Sequence, residues 1–495
     1  MSINKILVAN RGEIALRIMR SAREMGIPTV AVYSEADKLL PHASYADEAI
    51  HIGEAVASTS YLDHDKIIDA CKKTGADAIH PGYGFLSENS AFAERVEKEG
   101  INFIGPSPEA IRLMGDKLTS KQTVKKYNVP LVPGMDEPIN DVEKAKSVAD
   151  SIGYPVMIKA SAGGGGKGMR IVNNPKDFEE QMERAMSEAR NAFGNDEVFI
   201  EKFIASPKHI EVQIVGDKYG NIVHLFEREC SIQRRHQKVI EEAPSALLTH
   251  ERRMEIGAAA VNVAKSCDYF GAGTVEFIAD ENLDFYFLEM NTRLQVEHPV
   301  TELITGQDLV KEQINIANGE KLSFTQDDLS VYGHSLEVRV YAEDPENNFL
   351  PDTGTLKTYK RPQGAGVRLD DGYDEGQDIS IYYDPMIAKL ITYGKDRNEA
   401  IERMKRAIKE YEISGVKTTL PFCEYVLSHP EFLDGSFTTK FVETHFTTDV
   451  LKRELSNEET EVLAYIGSIL ADESQPIATS NKSNQRSKWK SRLVK

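Results

Sequence analysis

Apolar strands on either side of an amphipathic helix open this chain, and they constrain its fold more than any other feature of the sequence. Lys5–Asn10 (KILVAN) and Pro28–Ser34 (PTVAVYS) are apolar runs of strand length. Between them, Glu13–Met25 repeats its apolar residues along one helical face. A strand–helix–strand unit of this length predicts a right-handed crossover between parallel strands. We therefore expect an α/β domain with a parallel sheet that ends near Met114.

The size and charge of the chain narrow its class. Its 495 residues suggest roughly three domains of ~100–200 residues each. A formal net charge of −19 argues against binding to nucleic acid or to an anionic membrane. The four cysteines lie far apart without a C-x-x-C pair, which argues against a disulfide framework or a zinc site. The sequence shows no apolar signal core and no spanning segment, so we expect a cytoplasmic protein.

A glycine-rich loop between two predicted strands marks the middle of the chain. After the strand Pro155–Lys159, the segment Gly163–Gly168 holds five glycines with Lys167 among them. Glycine lets backbone amides approach phosphate oxygens closely. The spacing differs from that of a Walker A loop, and a strand follows where a helix would be needed. The segment predicts a hairpin that folds over a triphosphate as a lid; a flexible exposed turn is the alternative.

Two glutamates are predicted to face each other in a hairpin. Gly273–Asn291 contains two apolar runs around the turn Glu281–Asp284. A symmetric turn there places Glu276 directly opposite Glu289, and like charges in that position repel. We expect a cation between them, and hard oxygen ligands near phosphates suit Mg²⁺. In the alternative interpretation both carboxylates point to solvent.

Polar groups at every second position follow this hairpin. They are Glu289, Asn291, Arg293, Gln295 and Glu297. If the chain stays extended, these side chains share one face beside the proposed metal pair. The set combines metal-binding, anion-binding and proton-accepting groups, although an ordinary polar strand face could show the same alternation.

Two upstream segments carry further polar groups, one on the predicted strand His209–Val215 and one on the segment Glu227–Pro244. These groups are His209, Glu211, Gln213, Gln233, His236 and Lys238. Charged loops are usually only solvated, so these segments alone do not define a site. Cys230, in the second segment, is expected to be a buried small residue rather than a nucleophile.

The last third of the chain mixes strands with the helix Arg397–Tyr411. Near the end, Glu458–Ala471 has the pattern of one amphipathic helix. No acidic residue follows Glu473, and six basic residues do. We expect that tail to be disordered.

Several long stretches, in a fixed order from Ile3 to His445, carry a family resemblance. They are ILVANRGEIALRI, HPGYGFLSEN, LMGDK, the glycine hairpin, RRHQK and EMNTRLQVEHPVTE. In these stretches the chain resembles biotin carboxylase, the ATP-grasp subunit of acetyl-CoA and related acyl-CoA or pyruvate carboxylases. The resemblance implies α/β and α+β architecture. It places a Rossmann-like domain at 1–114, an ATP-grasp domain at 115–332 with a mobile lid at about 131–203, a mixed α/β domain at 333–447, and a helix with its tail at 448–495.

The resemblance also implies roles for individual residues. Implied ATP contacts are Lys117, Lys159, Gly164, Gly165, Gly166, Lys167, Gly168, Met169, Glu201, Lys202, Ile204, His209, Gln233, His236, Glu276 and Glu289. Implied ligands of two Mg²⁺ or Mn²⁺ ions are Glu276, Glu289 and Asn291. Implied bicarbonate contacts are Lys238, Arg293, Gln295, Val296 and Glu297, with Lys238 and Arg293 as the clamp and Glu297 as the general base. Arg339 is implied to stabilise the biotin enolate.

The function implied by the resemblance is carboxylation of biotin by ATP and bicarbonate through carboxyphosphate. The sequence contains no A-M-K-M-type biotinylation motif, so we expect biotin to be carried by a separate biotin carboxyl carrier protein. The resemblance further implies carboxyltransferase subunits as partners and a homodimer. Two alternatives stay open: another ATP-grasp ligase that makes carbamoyl phosphate or an amide, and a non-catalytic nucleotide-sensing subunit.

Overall fold

The structure is a computed structural model that describes residues 2–135, 137–160, 169–193, 196–235, 237–452 and 456–473. Gly164–Gly168, His236 and the predicted tail lie outside the described residues. The chain divides into two compact units, Met1–Thr448 and Asp449–Lys495. Across the described residues, no helix combines the length and the apolar character needed to cross a bilayer.

A five-stranded parallel sheet forms the first part of the larger unit, as the sequence predicts. Its strands are β1 (Ile6–Val8), β2 (Thr29–Ser34), β3 (Glu48–Gly53), β4 (Ala78–His80) and β5 (Asn102–Phe103), in the order β3-β2-β1-β4-β5. The helices of this part are α1 (Gly12–Glu24), α2 (Pro41–Tyr45), α3 (His64–Thr74), α4 (Ser90–Lys98) and α5 (Pro108–Gly115). β1 is apolar throughout because alternate side chains enter two different cores, Ile6 one and Leu7 the other.

The segment around the glycine loop forms a small layer with its own core. It contains α7 (Val142–Ile152), β6 (Val156–Ala160), β7 (Met169–Val172), α8 (Phe178–Phe193) and β8 (Val198–Lys202). The helix that precedes it, α6 (Lys117–Lys125), packs its Val124 into a different core. β6 and β7 pair antiparallel, with Lys159 opposite Met169, so the predicted hairpin is present. Strand order is β7-β6-β8. Residues of α7, α8 and the three strands pack into a separate apolar cluster around Phe178.

An eight-stranded antiparallel sheet forms the centre of the molecule. Its first five strands along the chain are β9 (Lys208–Gly216), β10 (Ile222–Arg234), β11 (Gln237–Ala243), β12 (Gly271–Ala279) and β13 (Phe285–Asn291). The helices of this stretch are α9 (His250–Lys265), α10 (His298–Thr305) and α11 (Leu309–Ala317).

The same sheet continues into the last third of the chain. It adds β14 (His334–Tyr341), β18 (Val367–Asp371) and β19 (Met386–Gly394). Two separate two-stranded sheets pair β15 (Glu343–Asp344) with β16 (Leu350–Pro351) and β17 (Thr358–Lys360) with β20 (Glu412–Ser414). The full order of the eight-stranded sheet is β13-β12-β9-β10-β11-β14-β19-β18. Because β11 pairs directly with β14, a single sheet runs through the predicted boundary at 332.

Helices complete this last third. They are α12 (Arg397–Glu410), α13 (Leu420–Ser428), α14 (Pro430–Asp434) and α15 (Phe441–His445). α12 matches the helix predicted there and packs its apolar face on the largest core cluster. In the second unit, α16 (Asn457–Glu473) contains the predicted helix, and its apolar side chains Val462, Tyr465 and Ile466 are exposed.

Candidate active site

Three carboxylates lie side by side on three neighbouring strands. β12 lies between β13 and β9, and Glu276 is opposite Glu289 on one side, as predicted, although a bulge between Glu276 and Phe277 rather than a symmetric turn sets this register. On its other side Glu276 is opposite Glu211. The side chains of Glu211 and Glu276 are both buried. Buried anions this close to one another require cations beside them.

Lys238 supplies the central positive charge. Its Nζ donates to Glu276 Oε1 at 2.9 Å, to Glu297 Oε1 at 2.7 Å, and also to Glu211. Burial alone would lower the pKa of this ammonium group. The three carboxylates outweigh burial and raise the pKa of Lys238 well above its usual value. Lys238 is therefore a fixed cation at the centre of an acidic cluster.

Glu276 is held ionised by several donors. Its Oε1 accepts from Asn291 Nδ2 at 2.9 Å and from Gln295 Nε2 at 2.8 Å. His209 Nε2 lies 3.1 Å from its Oε2. Burial opposes ionisation, but Lys238 and His209 hold the pKa of Glu276 well below its usual range. The same carboxylate outweighs the burial of the His209 ring and raises its pKa to about 9.

Glu289 occupies a more open position than Glu276. Its side chain is 40% exposed, and the one cation within 4 Å among the described residues is Lys117, at 3.9 Å. Burial and the charge of Glu276 raise the pKa of Glu289. In the Glu276–Glu289 pair, the carboxylate of Glu276 is therefore buried, whereas that of Glu289 is partly exposed and has little positive charge near it.

The donor set fits a hard divalent cation. Glu276, Glu289 and Asn291 offer oxygen ligands, and the distant ammonium of Lys117 leaves room for a metal to supply positive charge at Glu289. Ligand atoms of His209, Glu211 and Glu276 also lie within 4.8 Å of one another. However, both oxygens of Glu211 already accept from cations, one from Arg228 and the other from Lys238, and a histidine with a raised pKa is a poor ligand. The Glu276–Glu289 pair is thus the better candidate.

The prediction of one extended polar face from Glu289 to Glu297 is wrong. β13 ends at Asn291, and the chain turns so that α10 begins at His298, with Glu297 at its N-cap position. Pro299, in the first turn of α10, favours a helix start there. The polar residues still converge, because the turn brings Gln295 to Glu276 and Glu297 to Lys238.

Glu297 lies between two buried cations. Lys238 Nζ is 2.7 Å from its Oε1, and Arg339 Nη2 is 2.8 Å from its Oε2. Burial and the charge of Glu211 oppose ionisation of Glu297. Lys238 and Arg339 prevail, and the pKa of Glu297 is below its usual range. The group is a carboxylate at neutral pH, as a proton acceptor must be.

Arg293 is oriented by a residue from the parallel-sheet part of the chain. Its Nε donates to Glu88 Oε2 at 2.8 Å, and its Nη2 donates to Asn291 Oδ1 at 3.0 Å. Glu88 belongs to the HPGYGFLSEN stretch and also accepts from the backbone N–H of Thr292. Val296 is another of the residues predicted to contact bicarbonate, and its backbone carbonyl accepts from Lys389 Nζ at 2.8 Å.

The predicted ATP contacts of the glycine-hairpin layer form a second group. Glu201 pairs with Lys159 and, at 3.1 Å, with Lys121. Lys202 Nζ donates to the carbonyl of Gly153 at 2.8 Å. Met169 is 47% exposed and Ile204 is half-buried. α6 connects this group to the Glu276–Glu289 pair, because Lys121 of this helix pairs with Glu201 and Lys117 lies 3.9 Å from Glu289.

Gln233 is placed on the large sheet near the cluster. Its Nε2 donates to the carbonyl of Cys230 at 2.9 Å, and it lines a cavity of about 630 Å³ together with residues of α15. Cys230 is buried, and burial raises the pKa of its thiol well above the usual value. The expectation that it is a buried small residue is confirmed.

Sequence reasoning missed Arg228 and Glu241. Arg228 is fully buried and donates to five side chains, those of Glu211, Gln213, Thr274, Gln295 and Thr301. Glu241 accepts from Arg339 Nε at 2.7 Å. Alternation in β10 places Arg228 level with Glu211 of β9, but a bulge between His224 and Glu227 hides that register in the sequence.

The β6–β7 hairpin and the carboxylates of the large sheet, with the buried cations beside them, agree with the class to which the family models assign the chain, the ATP-grasp ligases. Three family models match in order: biotin carboxylase N-terminal domain at residues 2–111, carbamoyl-phosphate synthase L chain ATP-binding domain at 116–325, and biotin carboxylase C-terminal domain at 337–444. The outer two matches favour biotin carboxylation over the carbamoyl-phosphate and nucleotide-sensing alternatives.

Similar proteins agree with this assignment. A pyruvate carboxylase subunit of Methanothermobacter thermautotrophicus is 53% identical over 93% of this chain and 94% of its own length. Biotin carboxylase 1 of Bacillus subtilis is 53% identical over 90% and 99%. The biotin carboxylase domain dimer of Hydrogenobacter thermophilus 2-oxoglutarate carboxylase, solved with MgADP, ADP and bicarbonate, superposes with a TM-score of 0.81 at 50% identity, over 92% of this chain and 100% of that one. The chain belongs to the biotin carboxylase family.

Proposed function

We propose that this chain uses ATP to activate bicarbonate as carboxyphosphate and carboxylates biotin on a separate biotin carboxyl carrier protein. The observation that carries the proposal is Glu297, a buried carboxylate kept ionised between Lys238 and Arg339. The residue proposed as the proton acceptor thus contacts both Lys238, which we propose as part of the anion clamp, and Arg339, which we propose to stabilise the enolate. The solved relative that holds both MgADP and bicarbonate supports the same pair of substrates.

In the first step Glu297 removes the proton of bicarbonate as a bicarbonate oxygen attacks the γ-phosphorus of ATP and ADP leaves. General-base help of this kind typically contributes ~10²–10⁴-fold to a rate. We propose that Lys238 and Arg293 hold the anion, because Arg293 is already oriented by Glu88 and can grip a planar anion with two N–H groups. Gln295 and the backbone of Val296 would complete the bicarbonate site.

Glu276, Glu289 and Asn291 would hold Mg²⁺ or Mn²⁺, and we propose two ions. When bound, the metal neutralises charge on the phosphates so that an anion can approach. The hairpin layer, with Lys159, Glu201 and Lys202, would contact the nucleotide and close as a lid to exclude water. His209 and Gln233 would contact ATP from the large sheet. Lys117, which lies beside Glu289, would be a further ATP contact.

In the second step carboxyphosphate breaks its C–O bond to give CO₂ and phosphate, the phosphate takes the N–H proton of biotin, and the nitrogen bonds to the carbon of CO₂. As that proton leaves, negative charge develops on the ureido oxygen, and the fixed guanidinium of Arg339 stabilises it. We propose carrier and carboxyltransferase subunits as partners, a homodimer as the assembly and the cytoplasm as the location. Acetyl-CoA, propionyl-CoA and pyruvate are all candidate acceptors, since the relatives already include pyruvate and 2-oxoglutarate carboxylases. The divisions near 114, 332 and 447 remain predictions.

Steady-state kinetics of Glu297→Gln test the proposal. ADP release should depend on bicarbonate and rise with free biotin. We expect the variant to lose about 10²-fold or more in kcat, because an amide cannot take the proton, while KM for ATP stays within about twofold. Glu312→Gln, at a buried glutamate whose side chain contacts Ser323, is the matched control. Unchanged kcat in Glu297→Gln would remove the base role.

Stimulation by ammonia in place of biotin, or ATP binding without turnover, would favour the two alternatives.

A further inference from the structure

A second pair of facing glutamates lies behind the biotin-side arginine. Glu241 on β11 and Glu337 on β14 are directly opposite each other in the antiparallel ladder. Both side chains are fully buried, with 0% exposure. Like charges in this position repel, and two ionised carboxylates shielded from solvent would be strongly destabilising.

The cations nearby are too few for two anions. Arg339 Nε donates to Glu241 Oε1 at 2.7 Å, but the same guanidinium also serves Glu297. Lys389 is committed to the Val296 carbonyl at 2.8 Å and lies 3.4 Å from Glu13. Among the described residues, Arg339 is therefore the one cation in hydrogen-bond contact with the pair, while Lys389 and Lys238 act on it from a longer distance.

Three oxygens of the pair lack partners among the described residues. They are Oε2 of Glu241 and both oxygens of Glu337. A buried carboxylate ordinarily accepts two or more hydrogen bonds. A proton shared between Glu337 and the open oxygen of Glu241 would satisfy both groups at once. Burial is the largest cause, and together with the neighbouring carboxylates it outweighs Arg339 at Glu241 and Lys389 at Glu337. The pKa of Glu241 is thereby raised to about 7 and that of Glu337 well above its usual value.

We propose that Glu241 is a positioning residue for Arg339, and that Glu337 carries a proton so that the pair holds one negative charge. The lone charge on Glu241 fixes the Nε edge of the guanidinium, while Glu297 holds the Nη2 atom. Two anchors from different elements set the plane of the guanidinium, which a single ion pair would leave free to rotate. This inference rests on the proposed role of Arg339 toward biotin.

Kinetics of Glu241→Gln test the positioning role. The amide keeps the shape but removes the charge, so Arg339 loses one anchor. We expect KM for free biotin to rise about tenfold, which is the size of one lost charge-assisted hydrogen bond, and KM for ATP to stay within about twofold. Glu241→Asp should recover part of the loss. Adding Glu241→Gln to Arg339→Ala should cause no further change, because the first residue acts through the second.

Glu242→Gln is the matched control. Glu242 is the next residue of β11, is equally buried, and pairs with His334 and Arg397. It should lower the melting temperature without a selective rise in KM for biotin. If Glu241→Gln leaves KM for biotin unchanged, or shifts the KM values for biotin and ATP equally, the positioning role is overturned.

Two measurements need no turnover and separate this inference from the proposed function. Infrared difference spectra of wild type and Glu337→Gln should show that the variant lacks the C=O absorption of one protonated carboxyl group. Crystal structures should show Arg339 displaced in Glu241→Gln. An unchanged infrared band, or an unmoved guanidinium, would contradict the inference. Wild-type protein without biotin-stimulated ATP hydrolysis would instead contradict the proposed function.

Discussion

At the scale of single residues, the site depends on how buried charges are compensated. Arg228 has no exposed surface and donates to five side chains, two of which, Glu211 and Gln295, contact Lys238 and Glu276 in turn. It touches none of the proposed reacting atoms. Its role is to compensate Glu211, so that Lys238 is shared with Glu276 and Glu297 rather than held by one carboxylate.

Replacement of this arginine should therefore be costly. Arg228→Ala leaves Glu211 as a buried anion with one fewer cation, and we expect a loss of about 3–5 kcal/mol in unfolding free energy. Urea titration followed by circular dichroism measures it. Arg95→Ala, at a half-exposed ion pair, is the control and should cost less than about 1 kcal/mol. A loss in Arg228→Ala no greater than in the control would show that Glu211 is compensated in another way.

The positions of acidic residues in the site could be predicted better than those of their partners. The apolar runs and the turn of this hairpin are visible in the sequence, but a bulge between Glu276 and Phe277, which the sequence does not show, brings Glu276 opposite Glu289. The ion pairs of Glu297 with Arg339 and of Arg293 with Glu88 join residues 42 and 205 positions apart. Contacts of that separation follow from packing and not from local pattern, so only the resemblance pointed to Arg339.

At the scale of elements, the glycine-hairpin layer has its own sheet and its own core within the larger unit. β6, β7 and β8 form a separate sheet, and α7 and α8 cover it with a core that shares no member with the other clusters of described residues. The hairpin could be predicted because apolar runs flank the glycines. The turn that follows β13 could not be predicted, because the polar alternation there indicates an extended chain, whereas Pro299 and the start of α10 end the strand.

Loss of the central aromatic side chain of this layer should loosen it without unfolding the rest. Phe178 is fully buried in the layer. Phe178→Ala creates a cavity that typically costs about 3–5 kcal/mol. Limited proteolysis followed by mass spectrometry should show faster cleavage between residues 131 and 203, with the large sheet kept intact. Val300→Ala, in a different cluster, should not raise cleavage there. A single cooperative loss of the whole fold in Phe178→Ala would contradict this independence.

At the scale of the whole molecule, one sheet joins regions that the sequence separates. β11 and β14 pair although about ninety residues lie between them, and this pairing brings Arg339 to Glu297. The parallel sheet adds Glu88 to the same site. The site thus requires all three parts of the larger unit, which explains why no single segment of the sequence defines it.

Buried neutral histidines should make this unit sensitive to acid. Burial first, and then Arg11, lower the pKa of His42 to about 4, although Asp37 opposes the shift. The pKa of this histidine in the unfolded chain is ~6.5, so between about pH 6.5 and pH 4 the unfolded chain binds a proton that the folded protein does not bind. The free energy of unfolding therefore falls as the pH drops through this range. One such group contributes about 3 kcal/mol to that fall.

Melting temperatures of wild type and His42→Gln across this range measure the effect. The variant lacks the titrating ring, so it should lose less stability on acidification, and the gap between the two proteins should narrow toward pH ~4. Above pH ~7 the gap should be constant. Parallel curves throughout the range would show that His42 does not titrate as its burial requires.

The most direct test follows radiolabelled bicarbonate. With ATP, Mg²⁺ and free biotin, the wild-type protein should transfer the label to biotin as an acid-labile product, with one ADP formed for each label transferred. Glu297→Gln should transfer about 10²-fold less while still binding ATP. Hydrolysis of ATP with no label on biotin would contradict the account, as would full transfer by Glu297→Gln.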